Sequence, residues 1–250
     1  MANAPHSTVD PAEIAHFNAL AGKWWDGGGE FAQLHRMNPV RLGFIRETIT
    51  RHFRHPVDVE RPFAHLRLLD IGCGGGILTE PLARLGGSVV GADAGAENIA
   101  AARHHAAETG LSIDYRATTA EALAASGERF DAVFAMEIVE HVADRALFMD
   151  ACATLTKPGG LLFVATINRT LRSFALAIVA AEYVLGWVPR GSHDWNKLVK
   201  PEELQGDFAR NHLREVASTG VVFDPISADW RRAGDMAVNY ILAAAKPAAP

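Results

Sequence analysis

Apolar positions along the 250-residue chain change their period several times. The first regular stretch follows Asp10, an N-cap residue, with Pro11 at the first helical position and Glu13 at the third in a capping-box arrangement. This helix carries Ile14, Phe17 and Ala21 on one face, reaches Trp24 and Trp25, and is stopped by Gly27, Gly28 and Gly29. A second helix is expected after Asn38-Pro39, from Val40 to Phe53. From Leu66 onward, short apolar runs alternate with helical ones. Strands are predicted at Leu66–Ile71, Ser88–Ala92, Ser112–Arg116, Phe130–Met136 and Leu161–Thr166. The helices between them are Leu78–Leu85, Ala96–Glu108 and one capped by Asp144 that runs through Leu155. Val221–Phe223 and Val238–Ala243 read as late strands forming an edge hairpin. Such alternation implies an α/β fold with a mostly parallel sheet covered on both faces.

Leu171–Val188 interrupts the rhythm. It is apolar on nearly every side and is flanked by Arg169 and Arg190, with Arg172 and Glu182 inside it. A membrane span needs about 20 mostly apolar residues, and this segment is too interrupted for that. A buried lid, an interfacial membrane helix and a wall for a long apolar substrate all fit it, because apolar residues all round bury something on each side.

Composition narrows the class. Hydrophobic residues at 49% and charged residues at 21% exclude general disorder. A net charge of −5 argues against nucleic-acid binding by bulk positive charge. Two cysteines, Cys73 and Cys152, form neither a disulfide scaffold nor a four-cysteine zinc site, and the count fits a reducing cytoplasm. The N-terminal residues lack the basic-then-apolar pattern of a secretory signal.

The most informative stretch is Asp70-Ile71-Gly72-Cys73-Gly74-Gly75-Gly76, between a predicted strand and a predicted helix. Glycines there let a ligand approach the backbone. Asp93 closes the next strand, roughly 20 residues on, where a carboxylate accepts the ribose hydroxyls of an adenosine. The glycines are spaced G-x-G-x-G, and Ile77 stands where a dinucleotide fingerprint has its third glycine. Asp70 would repel a pyrophosphate but suits the cationic part of S-adenosylmethionine.

A second constellation, Glu137, Glu140 and His141, follows the fourth strand. In a helical turn, positions i, i+3 and i+4 share one face. Two carboxylates and an imidazole there suit a divalent cation such as magnesium, or a general base. Either activates a phenol, whose pKa near ~10 leaves it mostly neutral at neutral pH. His193 and Asp194 read as acceptor-pocket or loop-anchoring residues.

The loop Asp70–Gly76 with Asp93 resembles the class I S-adenosylmethionine-dependent methyltransferases. More narrowly, the chain resembles the ubiquinone-biosynthesis O-methyltransferase family. The matching residues are Trp24-Trp25-Asp26, Leu34–Leu42, Glu137–Val142, Lys157–Gly160, Asn168-Arg169, Ala181–Tyr183, His193–Trp195 and Val238–Tyr240. The resemblance spans about Phe17 to Leu242. Ser192 and Asp224 depart from it, where the family often has Thr and Asn.

The resemblance implies a Rossmann-like, seven-stranded, mostly parallel sheet with an antiparallel C-terminal edge hairpin. One methyltransferase domain is expected: residues 10–55 a helical cap, 66–167 the cofactor core, 168–205 the apolar insertion and 206–245 the last strands. It implies cofactor contacts at Arg41, Gly72, Asp93 and Met136. Arg41 would meet the methionine carboxylate. Asp70, Gly74 and Glu121 join them as candidates from the loop and from the stretch after the third strand. The implied acceptors are a polyprenyl catechol (2-polyprenyl-6-hydroxyphenol) and 3-demethylubiquinol. Contact with an anionic membrane surface, other proteins of the pathway and a cytoplasmic site peripheral to the inner membrane follow from the same resemblance. Three rival readings remain: a methyltransferase for another small aromatic acceptor, an NAD-dependent oxidoreductase, and a non-catalytic binding partner.

Overall fold

The computed structural model describes residues 7–54, 60–175 and 194–248. The element order is α1 (Pro11–Ala19), α2 (Ala32–Phe53), β1 (Arg67–Ile71), α3 (Thr79–Arg84), β2 (Ser88–Asp93), α4 (Ala96–Glu108), β3 (Asp114–Ala117), α5 (Ala120–Ala125), β4 (Phe130–Met136), α6 (Arg145–Leu155), β5 (Thr156–Ile167), the short α7 (Leu171–Ser173), α8 (Pro201–Arg210), β6 (Arg214–Asp224), β7 (Asp229–Ala233) and β8 (Asn239–Ala245).

One sheet carries the strands in the order β3-β2-β1-β4-β5-β8-β6-β7. The first five are parallel, and β8, β6 and β7 join antiparallel. This is the Rossmann-like architecture with a parallel core. Both faces are apolar because side chains alternate along each strand and helices cover both sides. On one face Leu69, Val133 and Leu162 pack with Phe148 and Met149 of α6 and Phe208 of α8. On the other, Leu68, Phe134 and Phe163 pack with Phe44, Ile45 and Ile49 of α2 and Leu82 of α3. Each such side chain, fully buried, contributes about 1.5–3 kcal/mol of transfer free energy.

Four expectations need correction. The sheet has eight strands among the described residues rather than seven. The outer edge is β7, and β8 lies between β5 and β6 instead of forming an edge hairpin with β6 alone. The extra strand, Asp229-Trp230-Arg231-Arg232-Ala233, is too polar to read as one. It is held from outside: Arg232 binds Glu47 of α2 through two bonds of 2.7 Å, and the Trp230 indole donates to Gln33. Helix α2 begins at Ala32 and runs through Pro39. Proline removes one helical donor, but Met37, Asn38, Arg41, Phe44 and Ile45 are buried on this helix, and that packing outweighs the lost bond. Asp10 caps α1 as expected, accepting from Ala12 N–H, but Glu13 turns away to other partners.

Of Leu171–Val188, residues 176–188 lie outside the described residues, as does His193. Where it is described, the segment starts as α7, with Leu171 and Phe174 exposed. Among the described residues no helix is long and apolar enough to cross a membrane.

Candidate functional site

The carboxyl ends of β1, β2, β3 and β4 open onto one edge of the sheet, where ligands bind in open α/β folds. A cleft of about 750 Å³, its open mouth included, lies there. Its walls include Gly72 and Gly74 of the glycine loop, Asp93 and Asn98, Thr118 and Thr119, and Glu137, Ile138 and His141. Helix α1 and its lead-in close the front with Val9, Glu13, Ile14 and Phe17.

The glycine loop is shaped by its neighbours. Gly74 sits at φ +52°, and a Cβ there would meet the Trp24 ring at 2.5 Å. Only glycine satisfies both conditions. Trp24 stacks on Phe31 at 3.8 Å and 11°. Trp25 donates to Gly75 O at 2.9 Å and stacks on His105, whose Nδ1 meets buried Glu80 at 2.6 Å. The two tryptophans thus clamp the loop from the N-terminal side.

Asp93, at the end of β2, accepts from the Gly74 amide at 3.0 Å, the Gly95 amide at 2.7 Å and the Asn98 side chain at 3.2 Å. Burial raises its pKa, and these three donors oppose the rise. The carboxylate therefore waits at the cleft wall with part of its acceptor capacity left for hydroxyls. Asp70 lies one layer deeper. It is buried, accepts from the Thr79 hydroxyl at 2.6 Å, and is pushed up to about 7 by burial. Met136 is buried in the face of the sheet that packs on α2. Glu121 accepts from the Thr8 amide at 2.9 Å, so it ties down the N-terminal lead-in. Asp70, Met136 and Glu121 are not among the residues lining the cleft; nor are Arg41 and Glu140.

On the acceptor side, the expected helical turn does not form. Residues 137–144 make an irregular turn, and helix α6 begins only at Arg145. Glu137 sits at φ +54°, a costly conformation for a non-glycine residue. Its carboxylate pairs with buried Arg41 at 2.6 Å. His141 Nδ1 meets Glu13 Oε2 at 3.1 Å. Glu140 is buried, and its Oε2 has no hydrogen-bond partner among the described residues. Burial raises its pKa, and the charge of Glu137 adds to the rise. Glu137 and His141 thus turn to separate partners while Glu140 stays buried apart from both, and among the described residues no group of three acidic, His or Cys side chains is placed to hold a metal ion. The shared-face premise fails because the backbone leaves β4 in a left-handed step rather than a helix.

Glu13 is the residue that pattern reading missed. Its Oε1 meets Lys197 Nζ at 2.8 Å, while its Oε2 faces His141. The His141 bond holds its pKa down to about 2 against burial, and Lys197 helps. For His141, burial lowers the pKa, but Glu13 and the charges of Glu140 and Glu137 reverse the sign and raise it. Phe17 packs edge-on against the imidazole at 5.1 Å. Asp194 caps the turn that presents Lys197, accepting from Asn196 N–H at 2.9 Å. That is the anchoring alternative of the two considered for it.

Residues 69–164 match a family model described as a methyltransferase domain. Over 249 residues the chain is 55% identical to the ubiquinone biosynthesis O-methyltransferase of Chelativorans sp. (strain BNC1), covering 100% of this chain and 98% of that one. A protein of the same name from Brucella anthropi is 54% identical over 248 residues, covering 99% and 100%. Among solved structures, a magnesium protoporphyrin IX methyltransferase from Synechocystis PCC 6803 with bound S-adenosylmethionine shares the fold at TM-score 0.60 and 15% identity, covering 96% of this chain and 99% of that one. The fold is that of an S-adenosylmethionine-dependent methyltransferase, and the chain belongs to the ubiquinone biosynthesis O-methyltransferase family.

Proposed function

We propose that this chain transfers a methyl group from S-adenosylmethionine to a phenolic hydroxyl of polyprenylated catechols and quinols in ubiquinone biosynthesis. The two expected acceptors are 2-polyprenyl-6-hydroxyphenol and 3-demethylubiquinol. The observation that carries the chemistry is His141, which stands in the wall of the cofactor cleft with Nδ1 engaged by Glu13.

When bound, S-adenosylmethionine supplies an electrophilic methyl on a cationic sulfur. Asp93 accepts its ribose hydroxyls, and Gly72 and Gly74 let the backbone approach it. Arg41 stands behind the cleft wall, paired with Glu137, and is the guanidinium that the family resemblance assigns to its carboxylate. In neutral His141 the proton sits on Nδ1, directed at Glu13, so Nε2 carries the lone pair. Nε2 would take the phenol proton as the methyl passes to the phenol oxygen, the carbon–sulfur bond breaking to leave neutral S-adenosylhomocysteine. The resulting imidazolium is stabilised by Glu13, which Lys197 keeps ionised. Ile14, Phe17, Val142 and Phe148 give the cleft apolar walls that hold off water and fit an aromatic ring. Positioning for in-line transfer supplies much of the acceleration. Glu137, Glu140 and His141, in the arrangement seen, do not fit one cation, and no step here runs through a metal.

The acceptor's prenyl tail motivates a peripheral contact with the cytoplasmic face of the inner membrane. Exposed Leu171 and Phe174, beside Arg172, support it. The test is methyl transfer from labelled S-adenosylmethionine to a short-chain prenyl catechol. Labelled methyl ether is the expected product. Tight cofactor binding without transfer to any catechol sinks the acceptor assignment.

A further inference from the structure

Asn98 lies in α4, 2% exposed, between the N-terminal cap and the cofactor carboxylate. Its Oδ1 accepts from the Trp24 indole at 2.9 Å, and its Nδ2 donates to Asp93 Oδ1 at 3.2 Å. The chemistry of the two ends leaves one orientation for the amide. An indole N–H only donates, and a carboxylate only accepts. A flipped amide would set oxygen against oxygen at Asp93 and nitrogen against a donor at Trp24. Of the three donors to Asp93, two are backbone amides fixed by the loops. Asn98 is the one side chain, and so the one whose aim depends on a distant residue.

Trp24 is well placed to hold that aim. Its ring is wedged between Phe31 and the glycine loop, and its own carbonyl meets His35 Nε2 at 2.7 Å. Room for movement around Asn98 is small: a Cβ on Gly95 would stand 2.8 Å from Asn98 Nδ2 and 3.1 Å from Asp93 Oδ1.

We propose that Asn98 and Trp24 are positioning residues for ribose recognition: the Trp24 indole N–H fixes the Asn98 amide, which holds the Asp93 carboxylate in the orientation that accepts the ribose hydroxyls. This rests on the reading of Asp93 as the ribose acceptor. It makes the cap, and not only the strand end, a determinant of hydroxyl selectivity.

The test compares calorimetric affinities for S-adenosylhomocysteine and for its 2′-deoxy and 3′-deoxy analogues. The full chain is used as wild type, Trp24→Phe, Asn98→Ala and Asp93→Asn. Trp24→Phe keeps an aromatic ring beside Phe31 but deletes the indole N–H together with the benzo ring that meets Gly74, so its effect is read in the ratio between ligands and not in overall affinity. In wild type, loss of a hydroxyl bound to a charged acceptor weakens affinity by roughly tenfold or more. The ratio is expected to shrink to roughly threefold in Trp24→Phe and toward parity in Asn98→Ala. If both variants weaken all ligands by one common factor, leaving the ratio at its wild-type value, their role is structural and the proposal fails. If Asp93→Asn itself keeps the wild-type ratio, the ribose reading of Asp93 fails first, and the inference falls with it.

Discussion

On the cofactor side of the cleft, Asp93 takes its donors from Gly74, Gly95 and Asn98, on two neighbouring strand ends and one helix start. On the acceptor side, Glu137 and His141 take their partners from α2 and α1, 96 and 128 residues earlier in the chain. The first half is framed by the sheet and its loops, and the cap reaches it only through Trp24 and Trp25. The second exists only once the N-terminal helices have docked. Cofactor affinity and chemical competence should therefore respond to different substitutions, and their separation is the strongest test of the reading.

Asp93→Ala breaks the cofactor half outright. Loss of a partly buried carboxylate leaves two amides and the Asn98 amide without their acceptor. Affinity for S-adenosylhomocysteine is expected to fall by about 100-fold or more, as read by calorimetry; an unchanged affinity removes Asp93 from the site. His141→Ala breaks the acceptor half. Turnover is expected to drop by about 10²–10⁴ with cofactor affinity kept, and wild-type turnover would return His141 to a packing role.

Glu13→Gln sharpens the comparison. The charge of Glu13 raises the His141 pKa, so the acid limb of the rate profile, set by a base that must be neutral, stands above the ordinary histidine value. Without that charge the limb moves to lower pH, and turnover falls by roughly tenfold. A limb that stays in place shows that another group sets it. The same pair makes a smaller statement about stability. The folded-state pKa of Glu13 is depressed from 4.5 to about 2. Its contribution is therefore present above 4.5 and is lost as pH falls toward about 2. For a partly exposed pair it amounts to on the order of 1 kcal/mol. Wild type should melt higher than Glu13→Gln at pH 6, and the gap should narrow below pH 4.5 and vanish only as pH falls through about 2. Smallest of all is Arg232→Ala, which removes a half-exposed pair with Glu47 far from the cleft. Stability should change by about 0.5 kcal/mol or less, with cofactor affinity unmoved.

The cofactor half was legible in the sequence because it is local. Strand, glycine loop and the next strand's terminal acid stand at spacings set by backbone geometry, so Gly72, Gly74 and Asp93 could be named from pattern alone. The acceptor half was legible in identity but not in arrangement. Glu137, Glu140 and His141 are where the family motif puts them, yet their helical register was wrong, since nothing local announces the left-handed step at Glu137. Glu13 looked like a capping residue. Its partner is 128 residues away, and sequence separation hides such a pairing. Strand β7 was hidden for a related reason: its five residues pair with β6 and reach Glu47 and Gln33 of α2, and none of this shows as an apolar pattern of its own.

The position of β8 bears on how the molecule comes into being. It follows every other strand in the chain, yet it fills the gap between β5 and β6 and pairs with both. While a ribosome is still making β6 and β7, that hairpin has no neighbour in the sheet, and β5 presents an open, apolar edge. Nascent protein is thus exposed to edge-to-edge association until residues 239–245 emerge from the exit tunnel. The cleft can be built early from β1 to β4, but the platform behind it closes late.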